Sequence, residues 1–173
     1  KGKMTEEKVK LALLSSNYFG TMLVKMGKAD CLLGGATYST ADTIRPALQL
    51  IKTKPGNKIV SSCMIMVRGD EKLVMADCAI NVDPSEDDLV EIAIESSKTG
   101  KVFGIDPKVA MLSYSTLGSG KGPTVDKVAN ATKKIKELAP DLAVDGELQF
   151  DASVAREVAN LKCPGSPVAG QAN

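Results

Sequence analysis

"KVAMLSYSTLGSGKGPTVDKVANATKKIKELAPDLAVDGELQ", Lys108–Gln149, decides the fold. It opens with "KVAMLSY", an apolar run short enough for a buried strand. A glycine-rich connection follows. "TVDKVANATKKIKELAP" then carries its apolar residues at helical spacing until Pro140 ends the helix. "LAVDGELQ" reads as a second short strand. Strands alternating with helices predict an α/β layered domain with a mostly parallel sheet.

The loop inside this unit, "STLGSGKGPT" (115–124), raises the question of a nucleotide phosphate loop. Such a loop needs G-x-x-x-x-G-K-[ST]. Gly120-Lys121 supplies the central pair, but Ser115 stands where the first glycine belongs. Gly122 replaces the hydroxyl that would hold magnesium. Two failed positions of four argue against a nucleotide loop. The glycines fit a flexible strand-to-helix connection. Backbone amides ahead of a helix can also hold an anion without that motif, so this second reading stays open.

Upstream of the deciding stretch, "IVSSCMIMVR" and "KLVMADCAI" are β-rich runs joined by "GDE", a hairpin signal. In "PSEDDLVEIAIESSKTGKVFG", Ser85 and Asp88 form a capping box, and Leu89, Ile92 and Ala93 make one apolar stripe. "KPGNK" (54–58) is a turn and a candidate boundary. Before it, "TEEKVKLALLSSNYFGTMLVKMGKAD" reads as two short helices broken near 15–17, with Thr5 as N-cap and Gly27 as C′ residue. "CLLGGA" reads as a short buried strand, and "TIRPALQLIK" as a helix with Pro46 in its first turn. Downstream, "DASVAREVANLK" reads as one last helix. Both ends read as cut, since Lys1 is not a methionine and "PGSPVAGQAN" leads into no further strand.

Composition excludes several functions. The chain has 173 residues, 43% hydrophobic and only 3% aromatic, without tryptophan. Base-stacking nucleic-acid modules need more aromatics. Twenty-two basic against 21 acidic residues leave +1, so no bulk field recruits nucleic acid or a membrane. Lys133, Lys134 and Lys136 read as a solvated helix face balanced by Glu137 and Asp141. No apolar run approaches the roughly 18 residues of a membrane span. Cys31, Cys63, Cys78 and Cys163 lack metal-site spacing and read as buried free thiols of a cytoplasmic protein, with no metal. There is no histidine. Chemistry must therefore use arginine, lysine, carboxylates, hydroxyls and backbone dipoles.

In open α/β sheets, ligands sit at the carboxyl ends of strands. Three stretches qualify. In "GGATYSTADTIR" (34–45), glycines end a strand, Thr37, Tyr38, Ser39 and Thr40 supply hydroxyls, and Arg45 follows. An arginine fork beside hydroxyls and amides suits phosphate or an acyl phosphate, although routine helix capping explains the same residues. "SYSTLGSGKG" (113–122) offers hydroxyls and amides to the same ligand or to a pantetheine arm, and also reads as a flexible turn. In "DGELQFD" (145–151), Asp145, Glu147 and Asp151 could do acid–base work, but read better as caps and surface charges.

At these same stretches the sequence resembles the phosphate acetyltransferase (phosphotransacetylase) family. "GGATYSTADTIRPALQLIKT", "ADCAINVDPSEDDLVEIAIESS", "VAMLSYSTLGSGKG" and "DGELQFDASVAREVANLKCPGSPVAGQAN" match it in order. The resemblance implies a fold like the isocitrate and isopropylmalate dehydrogenases, incomplete here at both ends. Residues 1–55 would close a first α/β domain and 56–173 would form most of a second. It implies acetyl transfer between CoA and phosphate by direct thiolate attack, with CoA and acetyl phosphate as substrates. No tightly bound cofactor is expected, and the whole protein would be a cytoplasmic homodimer. Arg45, Ser39, Thr40 and Tyr38 would hold the phosphoryl group. Ser115, Thr116 and Gly118 would line the cleft toward CoA. Tyr38 stands where many members carry histidine and others do not, which argues against a catalytic role there. The family's catalytic Ser-Arg pair and aspartate would fall beyond residue 173, and Asp42 reads as a helix-entry cap. Propionyl or butyryl transfer, and a non-catalytic assembly or regulatory domain, remain as alternatives.

Overall fold

The computed structural model describes residues 4–173. It is an α/β chain in two compact units, divided between Lys58 and Ile59.

The first unit holds three helices among the described residues: α1 (Glu6–Leu13), α2 (Ser16–Lys25) and α3 (Thr40–Leu50). The Thr5 hydroxyl accepts from Lys8 N–H and caps α1. Gly27, at φ +66°, closes α2: its N–H and that of Lys28 donate to the Val24 and Leu23 carbonyls.

Two expectations in this unit are corrected. Pro46 is not in a first turn but in the interior of α3, and it is fully buried. Interior proline cannot donate to the carbonyl four residues back. That carbonyl, Asp42 O, instead accepts from the side-chain amide of Asn17 at 3.3 Å. Asn17 is itself buried on α2, so one side chain repairs the defect and ties two helices together. The second correction concerns "CLLGG", which is irregular and exposed, with Leu33 97% accessible. A strand needs a ladder partner, and the first unit offers none among its described residues.

The second unit begins with an antiparallel hairpin, β1 (Cys63–Arg68) and β2 (Glu71–Ala76), in register from Cys63↔Ala76 to Arg68↔Glu71. Helix α4 (Glu86–Val102) starts at the Ser85–Asp88 capping box. Then come β3 (Lys108–Leu112), α5 (Pro123–Leu138) and β4 (Ala143–Leu148), with β3 and β4 parallel. The stretch expected as one final helix is two, α6 (Phe150–Val154) and α7 (Arg156–Lys162), because Ala155 is extended between them.

The core sits where α4 and α5 cover β3 and β4. Val90, Ala93, Met111, Ala131, Ile135 and Val144 are buried there. Leu148, Ala152, Ala159, Cys163 and Val168 form a second cluster. Lys134 and Lys136 are not balanced by α5's own surroundings, as expected, but reach other elements. Lys134 pairs with Glu86 and Asp87 of α4, and Lys136 pairs with Asp145 of β4.

The expected mostly parallel sheet is instead, among the described residues, two separate two-stranded sheets, one parallel and one antiparallel. Asn173 lies between their facing edges. It accepts from Val74 N–H at 2.7 Å and donates to the Lys108 carbonyl at 3.1 Å. An open apolar cavity of about 210 Å³ runs alongside, between β2, α4 and β3.

Candidate active site

The cavity beside Asn173 is lined by none of the residues expected to bind substrate. Those residues fall in two clusters, one in each unit.

The first cluster is the entry of α3. Ser39 is its N-cap: the hydroxyl accepts from Asp42 N–H at 3.1 Å and donates to Asp42 Oδ2 at 2.7 Å. Ser39, not Asp42, is thus the cap, and Asp42 is its partner. Thr40 and Ala41 follow in the first turn, where N–H groups lack helical acceptors. Arg45 comes one turn after Ala41 on the same face. Helical side chains lean toward the N-terminus, so the guanidinium is brought toward those amides. Its Nη1 lies 2.7 Å from Asp42 Oδ1, and the two side chains are 52% and 51% exposed. Its Nε and Nη2 have no partner among the described residues. Hydrogen bonds from Ser39 and then Arg45 hold the Asp42 carboxyl below its ordinary value. Tyr38 is exposed, and its hydroxyl shares a hydrogen bond with Ser16 at 2.9 Å.

The second cluster is the loop from β3 to α5. Ser115 and Thr116 are buried, while Gly118 is exposed. The sequence reading missed what holds them. Glu147 on β4 is only 4% exposed, and its Oε1 accepts from Ser115 Oγ at 3.0 Å and Gly118 N–H at 2.6 Å. Its main-chain carbonyl accepts from Leu117 N–H at 2.9 Å. Leu117 and Gly118 sit at φ +43° and +86°, which turns their amides toward Glu147. The Ser115 hydroxyl accepts from Gly120 N–H at 2.9 Å. Thr116 Oγ1 accepts from Gln149 N–H at 3.0 Å.

Asp145 and Glu147 were therefore misread as caps and surface charges, since both are buried. Burial pushes the Asp145 carboxyl up, but hydrogen bonds from Lys136 and Ser166 outweigh it and leave the group below its ordinary value. Asp151 is exposed and pairs with Lys162 at 2.8 Å. A further carboxylate, Asp77, also went unremarked. Burial raises it, but Ser62, Asn81 and the Ala79 and Ile80 amides bond to it and hold it far below the carboxylate range. Asp followed by bonds to amides two to four residues on is the Asx-turn pattern, so "DCAIN" carried that signal. The cysteines correct another expectation: only Cys163 is buried, Cys63 is half-buried, and Cys31 and Cys78 are exposed. Among the described residues no cluster of three potential ligands could hold a metal ion, and no helix is long and apolar enough to cross a membrane.

Comparison with known proteins completes the picture. The family model described as "Phosphate acetyl/butaryl transferase" matches residues 1–173. A phosphate acetyltransferase of Bacillus subtilis (strain 168) is 58% identical over the whole chain, which covers 54% of that protein. The crystal structure of a phosphotransacetylase from Streptococcus pyogenes superposes with a TM-score of 0.90 at 57% identity, covering 99% of this chain and 53% of that one. A phosphotransacetylase from Staphylococcus aureus gives 0.87 at 51% identity, with 99% and 53% covered. The chain thus spans about half the length of the relatives it matches. A match this long, unbroken and specific has one reading: the chain belongs to the phosphate acetyl/butaryl transferase family.

Proposed function

We propose that the protein carrying this chain is a phosphate acetyltransferase, which converts acetyl-CoA and phosphate reversibly into acetyl phosphate and CoA. The observation that carries this reading is the family match along the entire chain, joined to 58% identity with a phosphate acetyltransferase.

The reaction balances simply. The CoA thiolate attacks the carbonyl carbon of acetyl phosphate, a carbon–sulfur bond forms, and the carbon–oxygen bond to phosphate breaks. Phosphate leaves with that electron pair. The protein must gather positive charge and donors around the phosphate, where charge concentrates as it departs. No histidine is needed, in keeping with a chain that has none.

The α3 entry supports the phosphate role. Arg45 has two nitrogens free for a ligand, and the first-turn amides of the helix favour an anion. Solvent screens an exposed ion pair and leaves it weak, so a phosphate dianion displaces Asp42 from Arg45 at little cost. In this reading Arg45 and Thr40 contact the phosphoryl group, Ser39 holds the helix entry in shape, and Tyr38 borders the site. The loop of Ser115, Thr116 and Gly118 is assigned to CoA. Residues 1–55 and 56–173 are read as parts of two domains of a layered fold like that of isocitrate and isopropylmalate dehydrogenases, in a cytoplasmic homodimer. CoA serves as substrate, with no tightly bound cofactor.

The test is release of free thiol from acyl-CoA on adding phosphate to the full-length protein. Acetyl-CoA is expected to react faster than butyryl-CoA. No phosphate-dependent thiol release, or faster release from butyryl-CoA, overturns the assignment.

A further inference from the structure

The loop between β3 and α5 looks like an anion cradle, yet its amides are all in use. Ser115 N–H donates to Ser113 Oγ at 3.2 Å, and Thr116 N–H to Ser119 Oγ at 2.9 Å. Leu117 N–H donates to the Glu147 carbonyl and Gly118 N–H to the Glu147 carboxylate. Ser119 N–H donates to Thr116 O, and Gly120 N–H to Ser115 Oγ. The two left-handed residues, Leu117 and Gly118, create the concavity in which successive amides usually receive a phosphate. Here a buried side-chain carboxylate already fills it.

We propose that Glu147 is the positioning residue of this loop: it acts as the loop's internal acceptor, fixes the loop's shape, and reserves its outer edge for the uncharged pantetheine arm of CoA. This rests on the reading of CoA as a substrate. A bound anion finds no free donor, because every amide from Ser115 to Gly120 is occupied. What the loop turns outward is different in kind. Tyr114 is 61% exposed and Leu117 is 49% exposed, and the Tyr114 hydroxyl donates to the Lys121 carbonyl at 2.9 Å, which holds the ring in place. An aromatic face and an aliphatic side chain suit a chain of methylenes and amides rather than a phosphate. Ser115, Thr116 and Gly118 then serve the site through the loop's shape, since the two hydroxyls are buried and bonded inward.

The test uses the full-length protein with Glu147→Ala, Glu147→Gln and Leu117→Asp. Calorimetry gives the Kd for CoA, and steady-state kinetics give kcat and the KM for acetyl phosphate. Misplacing a loop that orients substrate costs on the order of tenfold or more, so Glu147→Ala is expected to weaken CoA binding about tenfold. The KM for acetyl phosphate should stay within about twofold, because only a contact to CoA has been lost. Glu147→Gln keeps an acceptor oxygen and should bind CoA within about threefold of the parent. A purely structural role would instead lower the melting temperature and affect both substrates in parallel, which would overturn the proposal. Should Glu147→Ala fail to fold, Leu117→Asp decides. It alters only the outer edge, in a residue type that tolerates positive φ, and must still weaken CoA binding selectively. Unchanged CoA affinity in folded Glu147→Ala or in Leu117→Asp overturns the proposal. A parent protein that binds CoA yet transfers no acetyl group sinks the reaction but leaves this test intact, because its readout is binding.

Discussion

Arg45 stands one turn into α3, near the positive end of a helix, where a cation is disfavoured and an anion welcome. Asp42 relieves the tension only partly. Its carboxyl is held below the ordinary value of 3.8 by Ser39 and Arg45, so it stays ionised across any working pH. The sign follows: a lowered native pKa gives a contribution that is complete above about 3.8 and fades only as pH falls below it. In the proposed role, Arg45 is shared between Asp42 and phosphate at every pH of interest. In the full-length enzyme, Arg45→Ala is expected to raise the KM for phosphate by about 10- to 100-fold, the worth of a charge-assisted hydrogen bond. Arg45→Lys should fall between, since it keeps the charge and loses the fork. Asp42→Asn should lower that KM by roughly twofold, because an exposed competitor of small worth is gone. An unchanged KM in Arg45→Ala removes Arg45 from the site.

At the scale of elements, the reading succeeded where local chemistry decides and failed where distant contacts do. Thr5, Ser85 with Asp88, and Gly27 announce helix ends through bonds made within a turn. The strand–helix–strand of β3, α5 and β4 was legible from periodicity alone. Pro46 was not legible, because the group that rescues its missing bond lies on another helix. Glu147 was not, because a carboxylate beside Gly146 looks like a turn charge until a loop about 30 residues away folds onto it. "CLLGG" has strand composition, but composition supplies no ladder partner.

The Asn17–Pro46 link makes a specific prediction. Asn17→Ala removes the donor that Asn17 gives the Asp42 carbonyl and should destabilise the protein by about 0.5–1.5 kcal/mol in urea unfolding. Pro46→Ala restores an N–H for that carbonyl but loses the packing of the buried ring. Asn17→Ala should therefore cost less in the Pro46→Ala background than in the parent, by about 1 kcal/mol. Additive effects would show that the Asn17 amide does not repair the helix.

For the whole molecule, the question is what half of a relative's length can accomplish. The chain carries the two features that the proposed reaction would use: the Arg45 helix entry and the loop held by Glu147. It also carries two sheet edges, on β2 and β3, bridged by Asn173, with an apolar cavity beside them. Exposed edges and apolar hollows are features that folded proteins cover. Residues that act directly on developing charge or on a proton are each worth about 100- to 10,000-fold in rate, and the resemblance leads us to expect such residues beyond residue 173. The 173-residue chain by itself is therefore expected to form acetyl phosphate at less than about 1% of the full-length rate at equal concentration. It should also enhance the fluorescence of an apolar dye that the full-length protein leaves dark, since the cavity stays open. The two proteins, assayed side by side, separate the possibilities. Full-rate turnover by the short chain would mean that Arg45 and the Glu147 loop suffice for catalysis. Absent turnover without dye binding would place the deficiency in missing catalytic groups alone, with the open edges of β2 and β3 playing no part.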